Sequence, residues 1–315
     1  MTPTPPAPAP APDFIIIGAM KSATTTLHDQ LDQQPGIFCC EPKEPYFFSN
    51  DEVFAKGQAW YQGLFADAAP GDLRGESSTH YTKLPTYPHT LDRLADHAAQ
   101  HPGLKLIVLL RHPIDRLVSQ YIHEWSQGLT KAPIDQAIGE LPILTDYSRY
   151  AFQLEPFLTH PAFGPDKLLP LFFDAMRAHP QQTLEHACQF LGYPGTPAWQ
   201  EQDASNVSSQ RMRKTWWRRA FVDPPVFGAI RRTLVPQGLR DRVKRSLTMQ
   251  SRPELSDAAR QALTECFDAD LARLGGWLGL ELTCDNWKSV TRDQFPRWVK
   301  PPQTEASPRT TEAAA

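Results

Sequence analysis

Short apolar runs recur along the chain, each bounded by polar or turn-forming residues. Phe14–Ile17 is wholly apolar, rich in β-branched residues and followed by Gly18, which predicts a buried parallel strand. Lys105–Leu110 and Leu168–Phe173 predict two further strands of the same kind, and Ile37–Cys40 predicts a shorter one.

Amphipathic segments follow these runs. Thr24–Gln33 has apolar residues at helical spacing, a second helix is predicted from Ile114, and a third spans about Pro180–Leu191. A late helix is predicted over Asp257–Leu274. Strands that alternate with helices in this way predict an α/β fold: a single three-layer domain with a central parallel sheet and helices on both faces.

Composition limits the classes of protein that this chain can be. Its 315 residues are 41% hydrophobic and 10% aromatic, which is enough to bury a sizeable core and excludes a wholly disordered chain. Six prolines among the first twelve residues predict a disordered leader over 1–12, and a polar tail without apolar periodicity predicts the same for 301–315. The folded domain is therefore predicted over 13–300.

Targeting signals and cysteine usage favour a cytoplasmic protein. No apolar run approaches the ~20 residues that span a bilayer, and no basic segment followed by an apolar stretch opens the chain. The five cysteines are an odd number without paired CxxC spacing, which argues against a disulfide framework and a structural zinc site.

Basic residues concentrate in one segment. Residues 205–252 contain twelve lysines and arginines against two acidic residues, although the chain as a whole has a net charge of −3. Tryptophans and phenylalanines interleave with these charges. A solvated face, an anion-binding rim, a peripheral membrane contact and a nucleic-acid patch all fit this pattern. The sequence pI near 6.4 and the lack of a tandem aromatic–basic motif disfavour the nucleic-acid interpretation.

The first strand leads into a loop that has the composition of a phosphate site. Gly18 is followed by Lys21 and a run of small hydroxyl residues, and a helix begins there. Backbone N–H groups at a helix N-terminus, together with a lysine, bind phosphate. A simple helix cap with an incidental lysine is the alternative. The loop also lacks the glycine–lysine pair of the GxxxxGK[ST] motif.

The end of the next long strand indicates a second anion. Nucleotide kinases hold magnesium with an acidic residue at this place, whereas here the strand ends at Arg111. Arginine binds phosphate through a bidentate fork, and Ser119 lies one to two turns into the following helix. A surface salt bridge and a solvated serine are the plainer alternatives. Together with Lys21, the two residues predict a ligand with two phosphate-like groups and no metal.

These segments resemble the sulfotransferases that use 3′-phosphoadenosine 5′-phosphosulfate (PAPS). IGAMKSATTTL resembles the family's 5′-phosphosulfate loop, and LIVLLRHPIDRLVSQY resembles its 3′-phosphate segment RxPxxRxxSxY. KEPYFF at Lys43–Phe48 is similar to the glutamate-bearing segment of the glycan-modifying branch. The resemblance covers roughly Phe14–Trp287, and it implies a P-loop-NTPase-like topology and an enzyme that transfers a sulfuryl group to a hydroxyl or amine, with a carbohydrate or glycolipid as the expected acceptor.

The resemblance also implies roles for individual residues. Lys21 would contact the sulfuryl or bridging oxygens, and Arg111 and Ser119 would bind the 3′-phosphate. Glu44 would be the base that takes the acceptor's proton. The 5′ side of PAPS would be held by the residues of the loop and the first helical turn, Ser22, Ala23, Thr24, Thr25 and Thr26.

Some positions depart from the family pattern. Ala23 replaces the usual glycine of the loop, and Ser77 stands where related glycan enzymes carry a lysine. No glycine-rich adenine loop is evident, so Arg211 and Lys214 are the candidates for that contact. His80 is the rival base, with a hydrogen-bonded histidine at a strand end as its plainer interpretation.

Two other functions stay open at this point. A P-loop kinase for a small molecule would share the phosphate loop, and a non-catalytic phosphate- or membrane-binding module would use the basic segment 205–252. Oligomeric state and acceptor are not readable from the sequence.

Overall fold

The fold is built on a five-stranded, entirely parallel sheet. The computed structural model describes residues 10–201, 249 and 251–302. The strands follow the spatial order β2-β3-β1-β4-β5. Their bounds are β1 Phe14–Gly18, β2 Ile37–Cys39, β3 Leu73–Ser77, β4 Lys105–Leu110 and β5 Leu168–Phe172.

The central strands are those with the longest apolar runs. Every residue of β1 is buried, because the strand is flanked by β3 on one side and β4 on the other. β4 continues this arrangement through its pairing with β5, from Leu106 opposite Leu168 to Leu110 opposite Phe172. Continuous burial of both strand faces is the pattern expected of a covered parallel sheet.

Helices connect the strands and cover the sheet. In chain order the α-helices of the described residues are α1 Thr24–Asp32, α2 Asp51–Phe54, α3 Gln58–Gly63, α4 Thr90–Gln100, α5 Pro113–Gln127, α6 Ile134–Glu140, α7 Ile143–Asp146, α8 Tyr150–Thr159, α9 Phe173–Ala178, α10 Pro180–Leu191, α11 Asp257–Leu278 and α12 Trp287–Thr291. Short 3₁₀ turns occupy Thr79–Thr82 and Pro165–Lys167.

Two hydrophobic clusters lie on opposite faces of the sheet. Ile15 and Ile17 of β1 belong to the larger cluster, with α5, α8 and α11. Phe14 and Ile16 point the other way into the smaller cluster, with α1 and α10. The alternation of side chains along β1 therefore feeds both cores, and the predicted three-layer α/β architecture is confirmed.

Several predicted boundaries need correction by one to four residues. α1 ends at Asp32 rather than Gln33, α5 begins at Pro113 rather than Ile114, and β5 ends at Phe172 rather than Phe173. β2 ends at Cys39, one residue earlier than predicted. The late helix continues four residues beyond Leu274 through Gly275 and Gly276, and it ends where Gly279 adopts a left-handed conformation at φ 69°.

The predictions for the termini and for the basic segment concern parts of the chain that the structure covers little or not at all. Of the predicted disordered leader 1–12 and tail 301–315, only 10–12, 301 and 302 lie among the described residues. Of the basic segment 205–252, only 249, 251 and 252 lie among the described residues.

None of the helices in the described ranges is long and apolar enough to cross a bilayer. The five cysteines, all of which are described, are free thiols.

A buried histidine makes the stability of this fold sensitive to acid. Burial lowers the pKa of His97 to about 4, and its ring packs against Phe48 and Tyr61. A folded-state pKa below the ordinary value of 6.5 means that the unfolded chain binds the proton more tightly. The contribution of neutral His97 is therefore present above pH 6.5 and is lost as the pH falls toward 4.

We expect His97→Phe to weaken this acid sensitivity. The slope of unfolding free energy against pH should decrease by up to ~1.4 kcal/mol per pH unit, the limit for one proton. Urea titrations between pH 7.5 and 4.5 measure the slope, and the same change at exposed His89 is the matched control. An unchanged slope in the His97 variant would contradict the prediction.

Candidate functional site

Every candidate residue of the described chain lies at the carboxyl edge of the sheet or just beyond it. Lys21 follows β1, Glu44 follows β2, the turn Thr79–Thr82 follows β3, and Arg111 follows β4. Because all five strands are parallel, these four connections leave the same edge. Open α/β sheets bind their ligands at this edge, so the topology brings the predicted residues together.

The loop after β1 has an unusual backbone. Lys21 and Ala23 have positive φ angles of 69° and 65°, although neither is glycine. Left-handed residues next to right-handed ones turn successive N–H groups toward a common point, which is an arrangement that binds anions. α1 begins directly afterwards with no acidic residue in its first turn, so no side chain of that turn competes with an anion for the N–H groups that lack helical partners.

Ala23 gives a test of this backbone geometry. The left-handed conformation costs a residue with a Cβ ~1–2 kcal/mol, while glycine loses ~0.5–1 kcal/mol of chain entropy on folding. We therefore expect Ala23→Gly to raise the free energy of unfolding by ~0.5–1 kcal/mol, measured by chemical denaturation. Thr25→Gly, at an exposed position in α1, is the control and should destabilise the protein. A loss of stability in both variants would contradict the strained backbone at Ala23.

Arg111 connects the end of β4 to the loop after β1. Its Nη1 donates to the Lys21 carbonyl at 3.0 Å, and its guanidinium stacks over the Phe173 ring at 4.7 Å. Burial lowers the arginine's pKa, and Asp115 counteracts this effect. Its buried Nε has no hydrogen-bond partner in the described part of the chain. A buried guanidinium donor without a partner fits an anionic ligand.

A second arginine, which the sequence analysis did not assign, supports the same loop. Arg116 of α5 is completely buried, and it donates to Ser148 Oγ at 2.6 Å and to the Leu144 carbonyl at 3.0 Å. Its Nη1 lies 3.5 Å from the Met20 carbonyl. Arg116 is the second arginine of the RxPxxRxxSxY segment, and its position among the buried apolar residues of α5 is a further signal that could have identified it.

The two predicted serines are both buried. Ser119 of α5 is 5% exposed, and Ser22 is fully enclosed. The Ser22 hydroxyl adjoins Tyr150 and makes no hydrogen bond of normal geometry. Tyr150 Oη donates to the Arg111 carbonyl at 2.6 Å, so Ser22, Tyr150 and Arg111 form one compact corner of the site. Thr24 is buried, whereas Ala23 and Thr26 are partly exposed and Thr25 is exposed.

Glu44 is held by three neighbours. Tyr46 Oη and Thr79 Oγ1 donate to Glu44 Oε2 at 2.5 and 3.1 Å, and Lys43 Nζ lies 3.3 Å from Oε1. Burial would raise the pKa of Glu44, but Lys43 and the hydroxyl donors outweigh it and hold the pKa below its usual range. The side chain is 25% exposed. The pair with Lys43 therefore exists, but within a fixed network rather than as a solvated surface pair.

The side chains that follow β2 do not alternate between two faces. An extended segment would place Phe47 and Phe48 on opposite faces, yet both rings are fully buried in the same cluster. The reason is Tyr46, whose φ of 57° turns the chain. Its N–H donates to Ser78 Oγ at 3.1 Å, which fixes the turn against the end of β3.

His80, the rival base, is held mainly by ring stacking. Its ring lies between Tyr46 and Tyr87, with centroid distances of 3.8 and 4.5 Å. Burial and then Lys83 lower its pKa to about 3, and its buried Nδ1 has no partner among the described residues. The predicted hydrogen-bonded histidine is therefore replaced by a neutral, stacked one.

The turn Thr79–Thr82 joins the Glu44 network to the loop after β1. Thr79 donates to Glu44 at one end of the turn, and Thr82 Oγ1 donates to the Ile17 carbonyl at 3.1 Å at the other. Gly18 packs so closely on this turn that a Cβ there would lie 2.0 Å from Thr82 Oγ1. One short turn thus fixes the position of Glu44 relative to Lys21.

The carboxylate near the end of β3 is already engaged by hydroxyl groups. Glu76 of β3 is fully buried and accepts hydrogen bonds from Tyr61 and Tyr81. Burial raises its pKa, although the hydroxyl donors oppose the shift. In the described ranges, no cluster of three or more histidine, cysteine or acidic side chains has the geometry of a metal site. The adenine candidates Arg211 and Lys214 lie outside the described residues.

Comparison with known proteins identifies the family. The sulfotransferase domain family matches residues 11–267. The chain belongs to the sulfotransferase family. The predicted membership in the PAPS-dependent sulfotransferases is confirmed, and with it the P-loop-like fold class and PAPS as the family's co-substrate.

Sequence relatives include glycan-modifying enzymes. The sulfotransferase chain is 31% identical over 194 residues to heparan sulfate glucosamine 3-O-sulfotransferase 3B1 of Mus musculus, a match that covers 58% of this chain and 46% of the relative. It is 32% identical over 136 residues to the membrane-associated sulfotransferase kil1 of Dictyostelium discoideum, covering 41% and 27%. The matches thus span less than half the length of these relatives.

A solved structure shares the fold. The sulfotransferase from Alicyclobacillus acidocaldarius superimposes with a TM-score of 0.61 and 23% identity, covering 86% of this chain and 97% of that one. At this identity the likeness concerns the fold alone.

Proposed function

We propose that this sulfotransferase moves the sulfuryl group of PAPS to an acceptor hydroxyl or amine by in-line transfer, with Glu44 as the base. The observation that carries the proposal is the turn Thr79–Thr82. It hydrogen-bonds to the Glu44 carboxylate at one end and to the last residues of β1 at the other. A proton acceptor and a phosphate-type loop are thereby held on the same side of the sheet edge.

The residues divide the chemistry between them. The N–H groups at the start of α1, with Ser22, Ala23, Thr24, Thr25 and Thr26, would hold the 5′-phosphosulfate, and Arg111 with Ser119 would hold the 3′-phosphate. Lys21 would neutralise the charge that grows on the bridging oxygen as the S–O bond breaks. Glu44 is ionised at neutral pH because its pKa lies below the usual range, so it can accept the acceptor's proton. The orphaned Arg111 Nε and the Ser22 hydroxyl fit such an anionic co-substrate.

A saccharide is the acceptor that we propose. Relatives in the comparison act on heparan sulfate glucosamine according to their names. Tyr46, His80 and Tyr87 form a partly exposed stack of rings beside Glu44. Aromatic faces with a hydroxyl at the edge pack against the C–H face of a sugar ring while the polar groups bind its hydroxyls.

The direct test is transfer of labelled sulfate from PAPS to a panel of acceptors. We expect transfer to N-sulfated and desulfated heparan chains above that to phenols or lipids, and no requirement for magnesium. Transfer to phenols alone would contradict the saccharide acceptor. Phosphate transfer from ATP that needs magnesium, without sulfate transfer from PAPS, would contradict the whole proposal in favour of a kinase.

A further inference from the structure

Lys83 is a buried lysine for which the described part of the chain offers no ion pair. It directly follows the turn Thr79–Thr82 and is 8% exposed. No carboxylate of the described residues lies within 4.0 Å of its Nζ, and Nζ lies 5.7 Å from the centroid of the Tyr147 ring. Enclosing most of a lysine side chain in the fold brings its charge into a poorly solvated setting, and an anionic ligand would compensate for this.

The surroundings of Lys83 place it within the candidate site. Its charge interacts with those of Glu44, Glu124 and Arg116. Arg116 contacts the carbonyl of Met20 in the loop after β1, and Glu44 is the proposed base. Thr82, the preceding residue, is hydrogen-bonded to the end of β1. Lys83 thus lies on the β3 side of the loop, together with the base, whereas Arg111 lies on the β4 side.

We propose that Lys83 is a second cation of the transfer site, whose ammonium donates hydrogen bonds to the non-bridging oxygens of the sulfuryl group. The inference rests on the proposed function. During transfer the bond from sulfur to the 5′-phosphate oxygen breaks, a bond from sulfur to the acceptor oxygen forms, and the acceptor's proton moves to Glu44. Lys83 keeps its protons throughout and supplies only charge and hydrogen bonds, while Lys21 stabilises the leaving phosphate.

The electrostatics of the site agree with this role. Burial lowers the pKa of Lys83 to about 8, against the opposing effects of Glu44 and Glu124. The free protein therefore loses this positive charge as the pH rises through about 8, and a bound sulfuryl group would delay the loss.

The two forms of the nucleotide separate this role from a merely structural one. Adenosine 3′,5′-bisphosphate lacks the sulfuryl group of PAPS and otherwise presents the same contacts. We expect Lys83→Met to weaken PAPS binding roughly ten- to thirty-fold, the effect of losing a charge-assisted hydrogen bond, and to change bisphosphate binding by less than about two-fold. Calorimetry with both ligands measures this difference.

Two controls keep the result interpretable. Lys56→Met removes an exposed lysine that lies over the Trp60 ring and makes no ion pair with Glu44 in the described structure, and it should leave both affinities unchanged. Thermal unfolding of Lys83→Met should match or exceed that of the wild type, because a buried charge is replaced by an apolar chain of similar length. An equal loss of affinity for both ligands, or no loss of affinity for either, overturns the role of Lys83 and leaves the proposed function standing. Failure of the wild type to bind either ligand overturns the proposed function itself.

The pH dependence supplies a second readout. The groups that face Lys83 are Glu44, Glu124, Arg116, His80 and Tyr147. Between pH 7.5 and 9.5 we expect the ratio of PAPS affinity to bisphosphate affinity to fall in the wild type. In Lys83→Met this ratio should be low and independent of pH. In Lys83→Arg it should be as high as in the wild type at pH 7.5 and independent of pH. A fall that persists in Lys83→Met would assign the titration to a different group and overturn the inference.

Discussion

Glu44→Gln is expected to reduce sulfuryl transfer at least ~10²-fold, the contribution of a positioned general base. The amide keeps the shape of the side chain and still accepts hydrogen bonds from Tyr46 and Thr79, but it cannot take a proton. Affinity for adenosine 3′,5′-bisphosphate should stay within a few-fold of wild type, because no described contact joins Glu44 to Arg111 or to the loop backbone. Transfer of labelled sulfate to the best acceptor of the panel, with calorimetry on the bisphosphate, measures the two effects.

The controls use neighbouring groups. Glu41→Gln changes an exposed carboxylate three residues earlier and should leave transfer unchanged. His80→Ala removes the middle ring of the stack, so it should weaken acceptor binding more than it slows turnover. If Glu44→Gln transfers at a near-normal rate while His80→Ala is inactive, the base is His80 and the assignment of Glu44 is wrong.

The pH profile tests the protonation state of the base, because Glu44 is ionised and His80 is uncharged at neutral pH. A carboxyl whose pKa lies below its usual value stays ionised through the neutral and mildly acidic range. Transfer that depends on Glu44 should therefore be constant through neutral pH and decline only as the solution becomes acidic enough to protonate it.

Local sequence signals were sufficient to predict the position of half of this site. The loop after β1 and the end of β4 each combine an apolar strand, a basic residue and a helix start within a dozen residues. Parallel strands bring such ends to one edge, so the meeting of Lys21 and Arg111 followed from pattern alone. The hydrogen bond from Arg111 to the Lys21 carbonyl confirms this proximity, while their roles toward PAPS stay predictions.

The surroundings of Glu44 could not be predicted in the same way. β3 consists of Leu73–Ser77, which contains a single large apolar residue, so no apolar run in the sequence marks it as a strand. Its last three residues are buried because the strand lies between β1 and β2. Without β3, nothing placed Thr79 or Ser78 near Glu44. The positive φ of Tyr46 has the same origin, since tertiary contacts with Ser78 and His80 hold a conformation that a tyrosine seldom adopts by itself.

Arg116 and Lys83 escaped the sequence analysis for a related reason. Charged residues are mostly exposed, so Lys83, which lies in no motif, is expected at the surface, and Arg116 received no role although it lies in the RxPxxRxxSxY segment. Their burial depends on α7, on the residues that directly follow α7 and on the turn after β3, which converge only in the folded chain.

Arg111→Ala is expected to weaken adenosine 3′,5′-bisphosphate binding roughly ten- to a hundred-fold, since a charge-assisted contact contributes ~1.5–3 kcal/mol. The residue has two functions to separate, because it is predicted to bind the 3′-phosphate and it also holds the Lys21 carbonyl. AMP carries the 5′-phosphate but no 3′-phosphate. If Arg111 acts on the 3′-phosphate directly, AMP affinity should change less than about three-fold in the variant.

A matched arginine controls for the loss of charge and stacking. Arg177 lies over the same Phe173 ring at 5.8 Å and is exposed, so Arg177→Ala should leave both affinities close to wild type. Arg111→Lys keeps the charge without the planar fork and should recover only part of the bisphosphate affinity. Equal losses for AMP and the bisphosphate would instead assign Arg111 to holding the Lys21 loop in place, and the second phosphate site would then have to be sought among other residues.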